Sequence, residues 1–261
     1  MQTLGLHMGR LYGLLISTAT TLAAASAGAA DLKVTSAGAV RGLIAGMIED
    51  YKRETGQTFD FTIGTTGQLR AIIQSGFPAD LVITSGPLMA ELEKTGNLTS
   101  DSRVDLGRIG IGVVVREGAA VPDVSTVDAF KNVLINAKSV AHTDPTAGGT
   151  SGIYLVGVLE RLGIADAVKQ KAVLESGGKE TAEAVAGGRA EIGVTFISEI
   201  LAVKGAKLVA PLPAEIQDYT LYTTAIPKAS TDPATARAFV SHLTSAAMAP
   251  RWKAAGFEPP K

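Results

Sequence analysis

Residues 32–85 read LKVTSAGAVRGLIAGMIEDYKRETGQTFDFTIGTTGQLRAIIQSGFPADLVITS, and this stretch decides the fold class. Leu32 to Ala37 is a short β-rich run. From Arg41 to Thr55 the period changes: Leu43, Ile44, Met47, Ile48 and Tyr51 fall on one helical face, and Gly56 supplies the stop. Thr58 to Ile63 alternates as a second strand, Thr66 to Ser75 returns to helical spacing, and Leu81 to Thr84 is a third strand. Pro87 suits the first turn of the helix after it. Strand and helix taking turns at this spacing predict an α/β protein with mostly parallel sheets.

The pattern continues outward. Ile109 to Val115 (IGIGVVV) is a buried strand, and the chain is expected to cross between lobes near it. A second set follows the Pro122 loop: helix 127–135, strand 139–142, helix 151–162, strand 172–174, helix 180–186 and strand 192–196. The last part runs through strands at 207–210 and 219–226 to helix 233–244 and a short terminal helix. About 230 residues are ample for two lobes. The expected division is 31–113 with 219–261 in lobe one and 114–218 in lobe two.

The first thirty residues stand apart. Arg10 is the one charged residue before Asp31, and LYGLLISTATTL and the small-residue run AAASAGAA follow it. A basic start, a short apolar run and an A-x-A-like site predict a secretory signal peptide over 1–30, cut after Ala29 or Ala30. The expected location is the periplasm. With no cysteine the chain has no disulfide, thiolate metal site or lipoprotein anchor. Three histidines, of which His7 lies in the leader, rule out a His-rich metal site. A net charge of −1 with scattered Lys and Arg gives no reason to expect nucleic acid or an anionic membrane as partner. P-loop, nucleophile-elbow and metal-ligand patterns are all missing, so no cofactor is expected.

Four loops share one design, in which a strand ends, small or hydroxyl residues follow, and a helix starts. They are Thr35-Ser36-Ala37-Gly38-Ala39, Gly64-Thr65-Thr66-Gly67, Asp144 to Gly152 (DPTAGGTSG) and Ser176-Gly177-Gly178-Lys179. Taken singly, such loops only cap helices and make turns. Taken together, they present several helix N-termini at the carboxyl ends of strands, where open α/β sheets hold ligands and where unpaired N–H groups attract anions.

The stretches VTSAGAVRGLIAGMIEDYKRETG, FTIGTTGQLRAIIQSGFPADLVITS and DPTAGGTSGIYLVGVLERLG resemble, in the same order, signature segments of the periplasmic molybdate-binding family, and AEIGVTFISEI resembles the strand-helix segment that comes next. The resemblance covers nearly all of the chain after the leader. It implies a type 2 periplasmic-binding fold, two lobes around a ligand cleft, and a monomer that presents its closed form to an ABC permease. The first loop itself makes Ser36 a candidate contact, and residue by residue the resemblance implies ligand contacts from Thr65 or Thr66 and from backbone near Ser151 and Gly178. The family's first-loop serine corresponds here to Ala39 and its tyrosine to Phe196, so two hydroxyl donors are missing, each worth about 1–3 kcal/mol to a buried oxyanion.

Arg41, Arg70 and Lys179 lie near the same loops, and guanidinium forks suit planar carboxylates. The expected ligand is therefore an organic carboxylate rather than molybdate. The principal expectation is a solute-binding protein for uptake, with a sensing role open on the same cleft. The alternative is an isomerase on the same scaffold that interconverts cis- and trans-aconitate, with His142 or Glu180 as its acid/base group.

Overall fold

The computed structural model describes residues 31–76 and 78–260. The expected signal peptide, residues 1–30, lies outside them. The elements run β1 (Leu32–Ala37), α1 (Arg41–Thr55), β2 (Phe59–Gly64), α2 (Thr66–Gln74), β3 (Leu81–Ser85), α3 (Gly86–Lys94) and β4 (Val104–Arg116). Then come α4 (Val127–Asn136), β5 (Val140–Thr143), α5 (Thr150–Arg161), α6 (Ala165–Lys169), β6 (Ala172–Glu175) and α7 (Gly178–Ala186). The chain ends with β7 (Ile192–Phe196), α8 (Ile197–Leu201), β8 (Ala206–Pro211), β9 (Tyr219–Ala225), α9 (Pro233–Leu243) and α10 (Ala249–Ala254).

Helix α1 shows why these boundaries fall where they do. Ile44, Met47 and Ile48 face inward, and Gly56 ends the helix in the left-handed region (φ 77°), its N–H bonded to Lys52 O at 2.8 Å. Helices α4 and α9 are capped by their own side chains, Thr126 and Asp232. The short α6 and α8 carry too few turns to show helical periodicity in sequence.

Each half of the sheet has a parallel trio: β1 pairs with β2 and β3, and β5 pairs with β6 and β7. The joint between them is antiparallel, in the order β2-β1-β3-β9-β4-β7-β5-β6, with β8 also on β4. Strand β4 is much longer than the apolar run 109–115 in its second half suggests. Its first part, Val104 to Gly110, pairs with β9, and its second part, from Ile111, pairs with β7 and β8. A single strand thus belongs to both halves.

The change of partner occurs at Gly110 and Ile111. There the Gln217 side chain stands in for a strand neighbour: its Oε1 accepts from Ile111 N at 2.9 Å and its Nε2 donates to Ile111 O at 2.8 Å. Tyr154 of the second half donates its hydroxyl to Ile216 O at 3.0 Å beside it. Buried backbone groups need partners, and here one amide serves both. The continuous core runs through both halves, from Ile44, Leu81 and Phe239 in one to Phe130, Leu155 and Val194 in the other.

Candidate functional site

All four loops singled out in the sequence meet at one cleft of ≈ 170 Å³ between the two halves of the sheet. One wall is built on the first half: Gly38 and Ala39 after β1, Arg41 at the start of α1, and Thr65 and Thr66 at the start of α2. The other is built on the second half: Thr150 and Ser151 of α5, Gly177 and Gly178 at α7, and Glu180 one turn inside it. Phe196, Glu199 and Tyr222 also line the cleft.

Helices α5 and α7 begin at Gly149 and Gly177 with no side-chain cap, unlike α4 and α9. Their first backbone N–H groups therefore remain available, and the helix dipole adds positive potential where the two glycines admit close approach.

The walls touch. Gly67 N donates to Gly148 O at 3.1 Å, Thr65 Oγ1 to Ala147 O at 2.5 Å, and the Thr66 and Thr150 hydroxyls lie 3.0 Å apart. Ser198 Oγ donates to Ala39 O at 2.7 Å, and Arg41 pairs with Glu180 at 3.3 Å. A β-carbon built on Gly67 would stand 2.9 Å from Gly148 Cα, so the backbones meet without room for a side chain.

Ala39, Arg41, Thr65, Thr66, Ser151, Gly178 and Phe196 come together as expected. Three expected residues do not reach the cleft. Arg70 turns outward and binds Glu91 through two bonds, 2.9 and 3.0 Å long. Lys179 pairs with Glu183 at 2.6 Å, its neighbour one helical turn on, and borders only a recess behind Arg41. Ser36 is sealed in β1, where its hydroxyl meets Ala37 O at 3.3 Å. His142 is buried with Nδ1 3.0 Å from Thr143 O, and burial lowers its pKa, so it stays neutral outside the cleft. Among the described residues Arg41 is thus the one cation lining the cleft, beside the uncapped starts of α5 and α7.

Two residues gain importance that sequence reasoning missed. Glu199, on α8, is buried, and its pKa is pushed up to about 7. Desolvation is the main cause. The Thr195 hydroxyl opposes it by donating to Oε2 at 2.7 Å, nearby Glu180 adds to the rise, and Arg41 and the Phe196 backbone counter it. A β-carbon on Gly178 would lie 1.7 Å from Glu199 Oε2, so only glycine there admits this carboxyl. Tyr222, from β9, is the second: it stands opposite on the first half, buried, with its ring edge-on to Phe196. Glu199 lies inside the segment AEIGVTFISEI, yet nothing local separates it from an ordinary helix glutamate.

Two halves of a mixed sheet, joined by a shared strand and closing loops over an anion-attracting cleft, define a binding-protein scaffold. The chain belongs to the bacterial extracellular solute-binding protein family, whose pattern matches residues 32–258. It is 34% identical over 253 residues to an aconitate isomerase from Pseudomonas sp, covering 95% of this chain and 94% of that one. It is 28% identical over 211 residues to the molybdate-binding protein ModA of Escherichia coli (strain K12), covering 79% and 80% of the two chains. The periplasmic molybdate-binding protein of Azotobacter vinelandii superposes with a TM-score of 0.74 at 22% identity, covering 88% of this chain and 100% of that one. No helix among the described residues is long and apolar enough to cross a membrane.

Proposed function

We propose that this protein is a periplasmic isomerase that binds an unsaturated polycarboxylate in the cleft and shifts an allylic proton, interconverting cis- and trans-aconitate. The observation that carries this reading is Glu199: a buried carboxyl with a pKa near 7, inside a cleft otherwise built to attract anions. A receptor for an oxyanion gains nothing from a carboxylate there, whereas a proton-transfer enzyme needs a group that both holds and releases a proton near neutral pH. The 34% identity to an aconitate isomerase supports the same class of chemistry.

In this reading the uncapped starts of α5 and α7, together with Arg41, hold the substrate carboxylates. Ionised Glu199 removes a proton from the allylic CH2. The electron pair of that C–H bond becomes the new double bond, and the former π pair takes a proton from Glu199 at the far carbon. The proton count is unchanged, and one carboxyl serves as base and then as acid. Burial supports this by raising the basicity of Glu199 and excluding water.

The same reading places the leader in residues 1–30 and export to the periplasm ahead of function. Lobe one comprises 31–113 with 219–261 and lobe two 114–218, with β4 and the Gln217 segment as hinge. The protein acts as a monomer and without a cofactor. A second reading, a carboxylate receptor for an ABC permease, is favoured by the contacts between the walls, since such receptors work by closing. Incubating the purified protein with cis-aconitate and following the trans isomer tests the first. Turnover supports the isomerase; binding of both isomers without turnover leaves the receptor.

A further inference from the structure

A buried tyrosine normally finds a partner for its hydroxyl, and two other aromatic side chains of this molecule, the half-buried Tyr154 and the buried Trp252, have one. Tyr154 donates to Ile216 O at 3.0 Å, and Trp252 Nε1 donates to Leu243 O at 2.9 Å. Tyr222 differs. It is 2% exposed, and its ring is held edge-on by Phe196 at 6.1 Å and by Phe257 at 6.3 Å. No described residue hydrogen-bonds its hydroxyl, which opens on the cleft beside Glu199 rather than being sealed in the core. The fold has fixed the ring and left the donor over for something else.

We propose that the Tyr222 hydroxyl donates a hydrogen bond to a carboxylate oxygen of the bound ligand and replaces, from the opposite wall, the hydroxyl that Phe196 lacks. The inference rests on the polycarboxylate reading of the cleft. Phe196 of β7 and Tyr222 of β9, strands that each pair with β4, are in edge-to-face contact, and both rings line the same cavity.

The donor's position also suits the reaction. When the allylic proton leaves, negative charge spreads into the conjugated carboxylate, and a donor there stabilises the charge as it develops. Burial and the nearby Glu199 carboxylate raise the phenol's pKa well above its ordinary value, so it donates without giving up its proton. Glu199 moves the proton from the second half while Tyr222 steadies the charge from the first. Neither wall is sufficient alone.

The test uses Tyr222→Phe, which keeps the ring, with Tyr154→Phe as a control whose hydroxyl already has a protein partner. Calorimetric titration with tricarballylate, a saturated tricarboxylate that cannot undergo the shift, reads binding alone. The expected result is roughly tenfold weaker binding for Tyr222→Phe, with the ligand-free Tm unchanged. Tyr154→Phe is expected to show the reverse, a lower Tm and unaltered binding. With cis-aconitate, Tyr222→Phe is expected to lower kcat about 100-fold with little change in KM. Unchanged tricarballylate binding, or a Tm loss matching that of Tyr154→Phe, overturns the proposal. If the parent protein binds molybdate and no polycarboxylate, the functional reading fails separately. The same two variants titrated with molybdate then decide whether Tyr222 donates to a ligand oxygen.

Discussion

The two walls of the cleft are built alike and do different things. Each consists of strand ends followed by glycine-rich turns and helix starts. The first-half wall offers Arg41 and the Tyr222 hydroxyl, both donors; the second-half wall offers the free N-termini of α5 and α7 and the carboxyls of Glu180 and Glu199. Where the walls meet, Arg41 and Glu180 neutralise one another, which leaves Glu199 as the group whose charge is undecided near pH 7. In the isomerase reading, one buried acid on one wall changes what an anion-binding scaffold is able to do.

The contrast breaks most sharply at Glu199. Replacing it by Gln keeps its size and removes the proton carrier, and turnover of cis-aconitate is expected to fall by about 100- to 10,000-fold with substrate still bound. The same variant should change stability against pH. The folded pKa of Glu199 lies above its unfolded value, so its contribution to the ligand-free protein's stability is fully present below about pH 4.5, and on the order of 3 kcal/mol of it is lost as pH rises through about 7. Arg41, Glu180 and Tyr222 are the charged or titratable groups around it. Denaturant unfolding from pH 4.5 to 8.5 should show this slope in the parent and not in Glu199→Gln.

Gly178→Ala tests the same wall from behind. Its methyl group would occupy the space of Glu199 Oε2 and displace the carboxyl, with about a 100-fold loss of kcat and a shifted pH–rate profile. An unchanged profile would mean that Glu199 does not need its present position. On the opposite wall, Arg41→Gln removes the one cation that lines the cleft among the described residues and should weaken tricarboxylate binding about tenfold, read by titration.

Gly67→Ala probes closure itself. The residue is in the first turn of α2, where alanine favours the helix, yet its methyl group would meet Gly148. Several-fold weaker binding with an equal or higher Tm is the expected pair of results, and binding as tight as in the parent would show that the walls need not touch. The smallest effect belongs to Arg70→Ala. Its bonds to Glu91 lie outside the cleft, so the affinity for tricarboxylate should change less than about twofold.

Much of this molecule was legible from local pattern. Helix α1 and strand β7 lie where periodicity placed them, and the glycine and threonine loops do converge, because both features follow from spacing within a few residues. Arg70 was misleading because one turn of helix decides whether a side chain faces the cleft or Glu91, and Glu91 is far along the chain. Likewise, Lys179 was close in sequence to the right loop but satisfied by the next helical turn.

The sequence by itself determined the α/β alternation, the four loop-to-helix starts, the lack of thiol chemistry and the family. All of these depend on residue type and short-range order. Only the tertiary structure decided that β4 serves both halves, that Arg41 meets Glu180 across 139 positions, and that Glu199 is buried between Gly178 and Tyr222. A carboxyl's proton affinity is set by the water it has lost and the charges around it. Those neighbours are assembled from distant segments, so no reading of the residues beside Glu199 reveals them.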